Sequence, residues 1–300
     1  MEILNLLKKC ELCPRKCRID RTNGQVGYCR AGYEIKAAKA MLHMWEEPCI
    51  SAGHGSGAVF FSDCSMSCVF CQNYNISQEH MGKKISIERL SEIFIEFQNK
   101  GANNINLVSP THYVPQIIKA LSDAKHEGLK IPVIYNSNGY ECTETLKHLN
   151  GLIDIYLPDL KYYSERYSVK YSDAPDYFRY ASAAILEMYR QVGSPFIENR
   201  LMKKGLIIRH LLLPGMLSES KKILDWISDN LPKDVYISLM SQYVPMYKAK
   251  EYPEINKRVK PQTYEWLIDY ALSLGLNNGF LQECGSANDT YTPEFNFEGL

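Results

Sequence analysis

Gly57-Ala58-Val59-Phe60-Phe61-Ser62-Asp63 runs straight into Cys64-Ser65-Met66-Ser67-Cys68-Val69-Phe70-Cys71-Gln72-Asn73, and the fold is decided by how this stretch is read. The first half follows the glycine-rich Gly53-His54-Gly55-Ser56-Gly57 and is a short apolar run, which predicts a buried strand. The second half sets three thiols on the loop leaving that strand. Structural zinc wants four ligands. Three thiolates on one tight loop suit a 4Fe–4S cube, with one iron left without a protein ligand. An open position on a bound metal marks a reactive site rather than a staple.

Downstream of this loop, strand and helix signals alternate. Ser86 is placed as an N-cap for a helix over 87–100, with Ile87, Leu90, Ile93, Phe94 and Phe97 on one face. Strands are expected over 104–108, 132–135, 153–157, 206–213 and 235–240. Helices are expected over 114–127, 143–149, 175–192, 218–230 and 261–274. About six β/α units result, with strands apolar on both faces, and this predicts a parallel sheet covered by helices. Right-handed crossovers would curl such units into a full or partial barrel. The expected architecture is therefore α/β: a partial (β/α)6 TIM-like barrel over 51–300, preceded by a small cysteine-rich lobe over 1–50.

Composition narrows the function. The chain has 300 residues, 45% hydrophobic and 23% charged, which is ordinary for a globular protein. Lys plus Arg and Asp plus Glu number 34 each, and the short lysine pairs are scattered, so no basic stripe for nucleic acid is expected. No apolar run has bilayer-spanning length and no signal peptide is visible, so a cytoplasmic, membrane-free protein is expected. Cysteine is the outlier: of ten, eight fall within the first 71 residues. In a reducing compartment that density argues for metal or cluster ligation rather than disulfides.

Cys10, Cys13, Cys17 and Cys29 supply four thiols within the lobe, with Gly24, Gly27 and Gly32 for tight turns. Four cysteines complete either a zinc tetrahedron or a second iron–sulfur cluster, and the spacing fits both. Cys49, Cys142 and Cys284 are isolated and are read as small buried hydrophobes. His43-Met44-Trp45-Glu46-Glu47-Pro48 precedes the three-cysteine loop and is placed to fold over the site. His54 is placed near it, and Ser241-Gln242-Tyr243-Val244-Pro245 follows the sixth strand, where a substrate would lie.

The strand, the three-cysteine loop and Gln72-Asn73 together resemble radical S-adenosylmethionine (AdoMet) enzymes, and within them the pyruvate formate-lyase-activating enzyme-like proteins with an N-terminal cysteine lobe. The resemblance implies a 4Fe–4S cluster on Cys64, Cys68 and Cys71, with AdoMet at the open iron. It implies one-electron cleavage of AdoMet to a 5′-deoxyadenosyl radical that abstracts hydrogen from a substrate. Asn138-Gly139, Asp159-Leu160-Lys161 and Arg209-His210 are similar to the family's AdoMet-contacting segments. On that likeness Lys161 pairs with the AdoMet carboxylate, and Asp159, His210 and Asn138 line the same pocket. Where the family often carries Gly-Gly-Glu for the AdoMet amino group, this chain reads Ser109-Pro110-Thr111-His112-Tyr113, so Thr111, His112 or backbone carbonyls take that role. Asn136 stands where the activating enzyme has an aspartate, which weakens any cation site there.

The likeness further implies a reductant such as flavodoxin or ferredoxin, and a glycyl-radical enzyme as partner. Radical modification of a small molecule or peptide is the alternative. From other classes come an iron–sulfur electron carrier and a zinc-stapled scaffold. No side chain is assigned as a catalytic acid, base or nucleophile.

Overall fold

A computed structural model describes residues 3–281 and 293–300. Its centre is one open sheet in the order β10-β9-β8-β6-β5-β4-β2-β1-β3. The strands are β1 (Ile35–His43), β2 (Ser56–Phe61), β3 (Lys83–Ile85), β4 (Ile105–Val108), β5 (Val133–Ser137), β6 (Ile155–Pro158), β7 (Phe196–Glu198), β8 (Leu201–Leu211), β9 (Tyr236–Met240) and β10 (Gly279–Leu281). From β2 to β10 the path is parallel at every step. β1 and β3 add antiparallel strands at one end, and β7 folds back on β8. No pairing joins β3 to β10 among the described residues, so the barrel is partial.

The parallel strands are largely apolar because helices cover one face and the curved sheet encloses the other; every residue of β2, β4, β5 and β6 is buried. The helix Ile87–Asn99 shows how the sequence writes the outer layer. Ser86 accepts a hydrogen bond from the Arg89 N–H as an N-cap, and Leu90, Ile93, Phe94 and Phe97 point into the core. The expected elements are found with ends shifted by a few residues, and the predicted helix over 175–192 is preceded by a separate helix, Glu165–Ser172.

Four strands lie outside the expected pattern: β1, β3, β7 and β10. β10 has only three residues, too few to show a period, yet it adds a parallel strand next to β9. β1, Ile-Lys-Ala-Ala-Lys-Ala-Met-Leu-His, is alanine-rich and so carries little intrinsic strand signal. It lies within residues 1–50 but pairs with β2 along most of its length, so the barrel's sheet crosses residue 50. Beyond β3, the chain's last residues take the edge of β1: Phe297 N–H donates to the Ala38 carbonyl at 3.0 Å and Ala40 N–H to that of Glu298 at 2.9 Å. Ahead of β1, Leu7, Cys10 and Leu12 form a small separate apolar cluster with Leu4, Leu6 and Ile19.

Candidate functional site

The chain leaves β2 through Asp63, which holds a left-handed backbone (φ 75°) despite its side chain. Such strain persists only where the surroundings over-determine it. Here the buried carboxylate is held by His80 Nδ1 at 2.8 Å, Lys36 Nζ at 3.0 Å and the Tyr113 hydroxyl at 3.2 Å. The loop that follows is pinned at both ends. Ser67 and Val69 N–H groups donate to the Ser172 and Tyr171 carbonyls at 3.0 and 2.9 Å, and the Val69 carbonyl accepts from Lys248 N–H at 2.9 Å.

So fixed, Cys64, Cys68 and Cys71 line one cavity of about 780 Å³ at the C-terminal ends of the parallel strands, where barrel enzymes place their sites. Each thiol has a polar neighbour: Asn138 Nδ2 lies 3.4 Å from Cys64 Sγ, Ser172 Oγ 3.0 Å from Cys68 Sγ and Ser77 Oγ 3.3 Å from Cys71 Sγ. Burial pushes Cys64 up to about 12 and Cys68 up to about 11, and raises Cys71 as well. Among the described residues, no three His, Cys, Asp or Glu side chains are gathered closely enough to hold a single metal ion. The donor set at this mouth is three soft thiols around an open space, which fits an iron–sulfur cluster better than one ion.

Beside the thiols lies a buried charge network that draws on four strands and the segment before β2. Lys161 Nζ sits 2.6 Å from Asp159 Oδ2. Arg209 Nε donates to Asp159 Oδ1 at 3.1 Å, its Nη2 donates to Asn136 Oδ1 at 2.6 Å, and its Nη1 lies 3.6 Å from Glu46 Oε2. Glu46 Oε1 accepts from Asn106 Nδ2 at 2.9 Å. Burial works against the Arg209 charge, but Asp159, Glu47 and Glu46 outweigh it and raise its pKa above the usual guanidinium value. Burial likewise opposes ionisation of Asp159, and Lys161 and Arg209 overcome it, holding that carboxyl below its ordinary range. For Glu46 and Glu47 burial dominates and raises both, in spite of Arg209. Glu47 Oε2 is buried with no hydrogen-bond partner.

The sequence-derived candidates divide. Lys161, Asp159 and Asn138 line the cavity with the three cysteines, as do His43, Trp45, Glu46 and Glu47 from the preceding segment and Gln242 and Tyr243 after β9. His210 does not line it. Its ring is buried between the Leu160 carbonyl (2.7 Å from Nδ1) and Ser220 Oγ (2.8 Å from Nε2). Thr111 and His112 are also turned away. Thr111 Oγ1 donates to Glu141 at 2.6 Å, and His112 Nε2 lies 2.7 Å from the Ser62 carbonyl. Ser109 and Ser137, at the ends of β4 and β5, line the cavity instead. His54 is exposed and lies outside it. Cys49 and Cys142 are buried, as expected, while Cys284 lies outside the described residues. The individual role of Arg209 was missed. A lone arginine in an apolar strand was the available signal.

The four lobe cysteines also converge. Cys10, Cys13, Cys17 and Cys29 line one small apolar void together with Arg21 and His112. Arg15 Nε donates to the Ser65 carbonyl at 2.9 Å, and Tyr28 Oη lies 2.7 Å from Ser67 Oγ and 2.6 Å from Asp173 Oδ2. The lobe therefore docks directly on the three-cysteine loop.

Among known proteins, the uncharacterized protein MJ0674 of Methanocaldococcus jannaschii is 33% identical over 285 residues, covering 91% of this chain and 77% of its own. In fold, the chain is similar to Streptococcus suis SuiB bound to S-adenosylmethionine (TM-score 0.52, 14% identity, 79% of this chain and 51% of that one). It is also similar to the FeFe-hydrogenase maturase HydG of Carboxydothermus hydrogenoformans (TM-score 0.51, 14% identity, 79% of this chain and 60% of that one). The chain thus spans about half the length of the solved structures it matches. The sequence profile of the radical SAM superfamily matches residues 59–227, which takes in β2, the three-cysteine loop and the strands through β8. By that match the chain belongs to the radical SAM superfamily, whose cofactors are a 4Fe–4S cluster and AdoMet.

Proposed function

We propose that Cys64, Cys68 and Cys71 hold the 4Fe–4S cluster and that AdoMet binds beside them in the 780 Å³ cavity. One observation carries this reading: three thiols of one loop open onto the same space as a partly buried lysine and arginine that share one aspartate. When bound, cluster and AdoMet supply a one-electron cleavage that leaves a 5′-deoxyadenosyl radical.

The chain's own residues hold and orient. Asn138, Ser172 and Ser77 donate toward the three sulfurs, and such hydrogen bonds tune a cluster's potential. Lys161 lines the cavity with the three thiols, and its charge acts on Cys68. It meets the AdoMet carboxylate by releasing Asp159, which keeps Arg209 as its partner. Ser109, Ser137 and the carbonyls beside them take the amino group that Thr111 and His112 do not reach. Apolar Phe60, Phe70 and Val108 keep the walls dry.

For the substrate, our reading is activation of a glycyl-radical enzyme, with a low-potential donor of the flavodoxin or ferredoxin class and a cytoplasmic setting. No described helix is long and apolar enough to cross a membrane. The test is anaerobic reconstitution, metal counting and dithionite-driven formation of 5′-deoxyadenosine, with Cys68→Ala beside the parent. Product is expected only from the parent. Equal product from both would exclude Cys68 as a ligand, and no product from either would remove the AdoMet reading of this cavity.

A further inference from the structure

The lobe's four cysteines fit both a zinc ion and a second cluster by spacing alone. Their geometry separates the two. Zinc draws four sulfurs to about 2.3 Å from one centre, and a space that tight admits nothing of water's size. The four lobe thiols line one void together rather than meeting at a point. In agreement, no three of these thiols are close enough to grip a single ion.

The framework resists collapse onto a smaller occupant. A Cβ on Gly27 would stand 2.7 Å from Cys17 Sγ, so that thiol is already backed against main chain. The strand-like pairing Cys10 N–H to Ile19 carbonyl (2.9 Å) and Arg18 N–H to Cys10 carbonyl (2.8 Å) fixes the other side. Tyr28 N–H points at Cys17 Sγ from 3.5 Å, and main-chain N–H groups of Arg15 and Ala31 serve Cys13 and Cys29. Hydrogen bonds of this kind to the sulfurs help set an iron–sulfur cluster's potential.

We propose that Cys10, Cys13, Cys17 and Cys29 bind a second 4Fe–4S cluster, fully ligated by protein. With no open iron it stores and passes one electron rather than binding AdoMet. Arg15, between two lobe cysteines, is bonded to Ser65, and Tyr28, next to Cys29, to Ser67; these contacts seat the cluster against the loop of the first site. One electron from a low-potential flavin or iron–sulfur protein enters here and leaves to the first site, so the lobe cluster is oxidised and reduced once per AdoMet cleaved. That second step rests on the function proposed above; the ligation does not.

The full chain carrying Cys64→Ala, Cys68→Ala and Cys71→Ala tests the ligation. After anaerobic reconstitution it should hold about four irons and no stoichiometric zinc, with a reduced-cluster EPR signal that AdoMet leaves unchanged. One zinc and no iron, or neither metal, would overturn the proposal, and an AdoMet-shifted signal would overturn the four-ligand assignment. If the triple variant does not fold, Cys13→Ser with Cys29→Ser is compared with the parent. Loss of about four irons supports the site, and an unchanged iron count or loss of one zinc overturns it. Failure of the first site alone would appear as equal iron in parent and triple variant, leaving the lobe cluster standing.

Discussion

The chain gathers cysteines twice, and the two gatherings differ in almost everything else. In the lobe, four thiols close around a small apolar void. At the barrel mouth, three thiols open onto a cavity of about 780 Å³ lined by Asp159, Lys161, Arg209, Glu46 and Glu47. A complete ligand set, with no iron left open, stores an electron. An incomplete one surrounded by charge recruits a polar cosubstrate and works on it. The number of ligands and the size of the space beside them carry this distinction, since the ligand type is the same in both.

Removing the charge at the barrel mouth should break the contrast most severely. Arg209→Leu would leave Asp159, Glu46 and Glu47 with one cation fewer in buried surroundings. Breaking a buried network in this way costs about 3–5 kcal/mol, read as a lowered denaturant midpoint, while the lobe's iron should persist. If stability is unchanged, the network is solvated and the cavity is not the dry site described here.

A smaller effect concerns the barrel alone. Burial pushes Glu141 up to about 7, against the hydrogen bonds from Thr111, Ser137 and Tyr135. The carboxyl is thus protonated in the fold at pH values where the unfolded chain has ionised it. Its contribution to stability is full below the ordinary value near 4.5 and is lost as pH rises through about 7. Glu141→Gln should flatten that slope, worth about 2–3 kcal/mol across the window, in unfolding curves measured from pH 4.5 to 8. The lobe's iron content should not follow it.

The smallest effect belongs to the lobe. Gly27→Ala forces a Cβ against Cys17 Sγ and Cβ, at 2.7 and 2.9 Å. Overpacking of this kind costs about 1–3 kcal/mol. Metal analysis should show the lobe's cluster depleted and the barrel's retained, which sharpens the separation of the two sites. Equal loss at both would mean that they assemble as one unit.

The two centres were unequally legible. The three-cysteine loop is local: the stretch from Gly57 to Cys71 shows both the strand and the ligands, and the structure places all three thiols in one cavity. The helices were also legible, since the face carrying Leu90, Ile93, Phe94 and Phe97 repeats at the helical period. β1 was not, because alanines carry little strand preference and its pairing with β2 supplies the reason it is extended. The identity of the lobe's metal was equally closed to the sequence, because spacing fixes which thiols meet but not how far apart they are held.

By itself, then, the sequence determined the alternation of strands and helices, the position of the cysteine loop after the first parallel strand, and the candidacy of Asp159 and Lys161. Tertiary structure decided which neighbours face inward. Arg209 and His210 are adjacent on β8, and successive side chains of a strand point to opposite faces. Arg209 and Leu211 line the cavity, whereas His210 packs outward against Ser220 of the covering helix. Parity along a strand can be read from sequence, but which parity meets the interior is set by the partners on either side. For Arg209 those partners come from residues 46, 136 and 159, segments far apart in the chain that only the assembled sheet brings together.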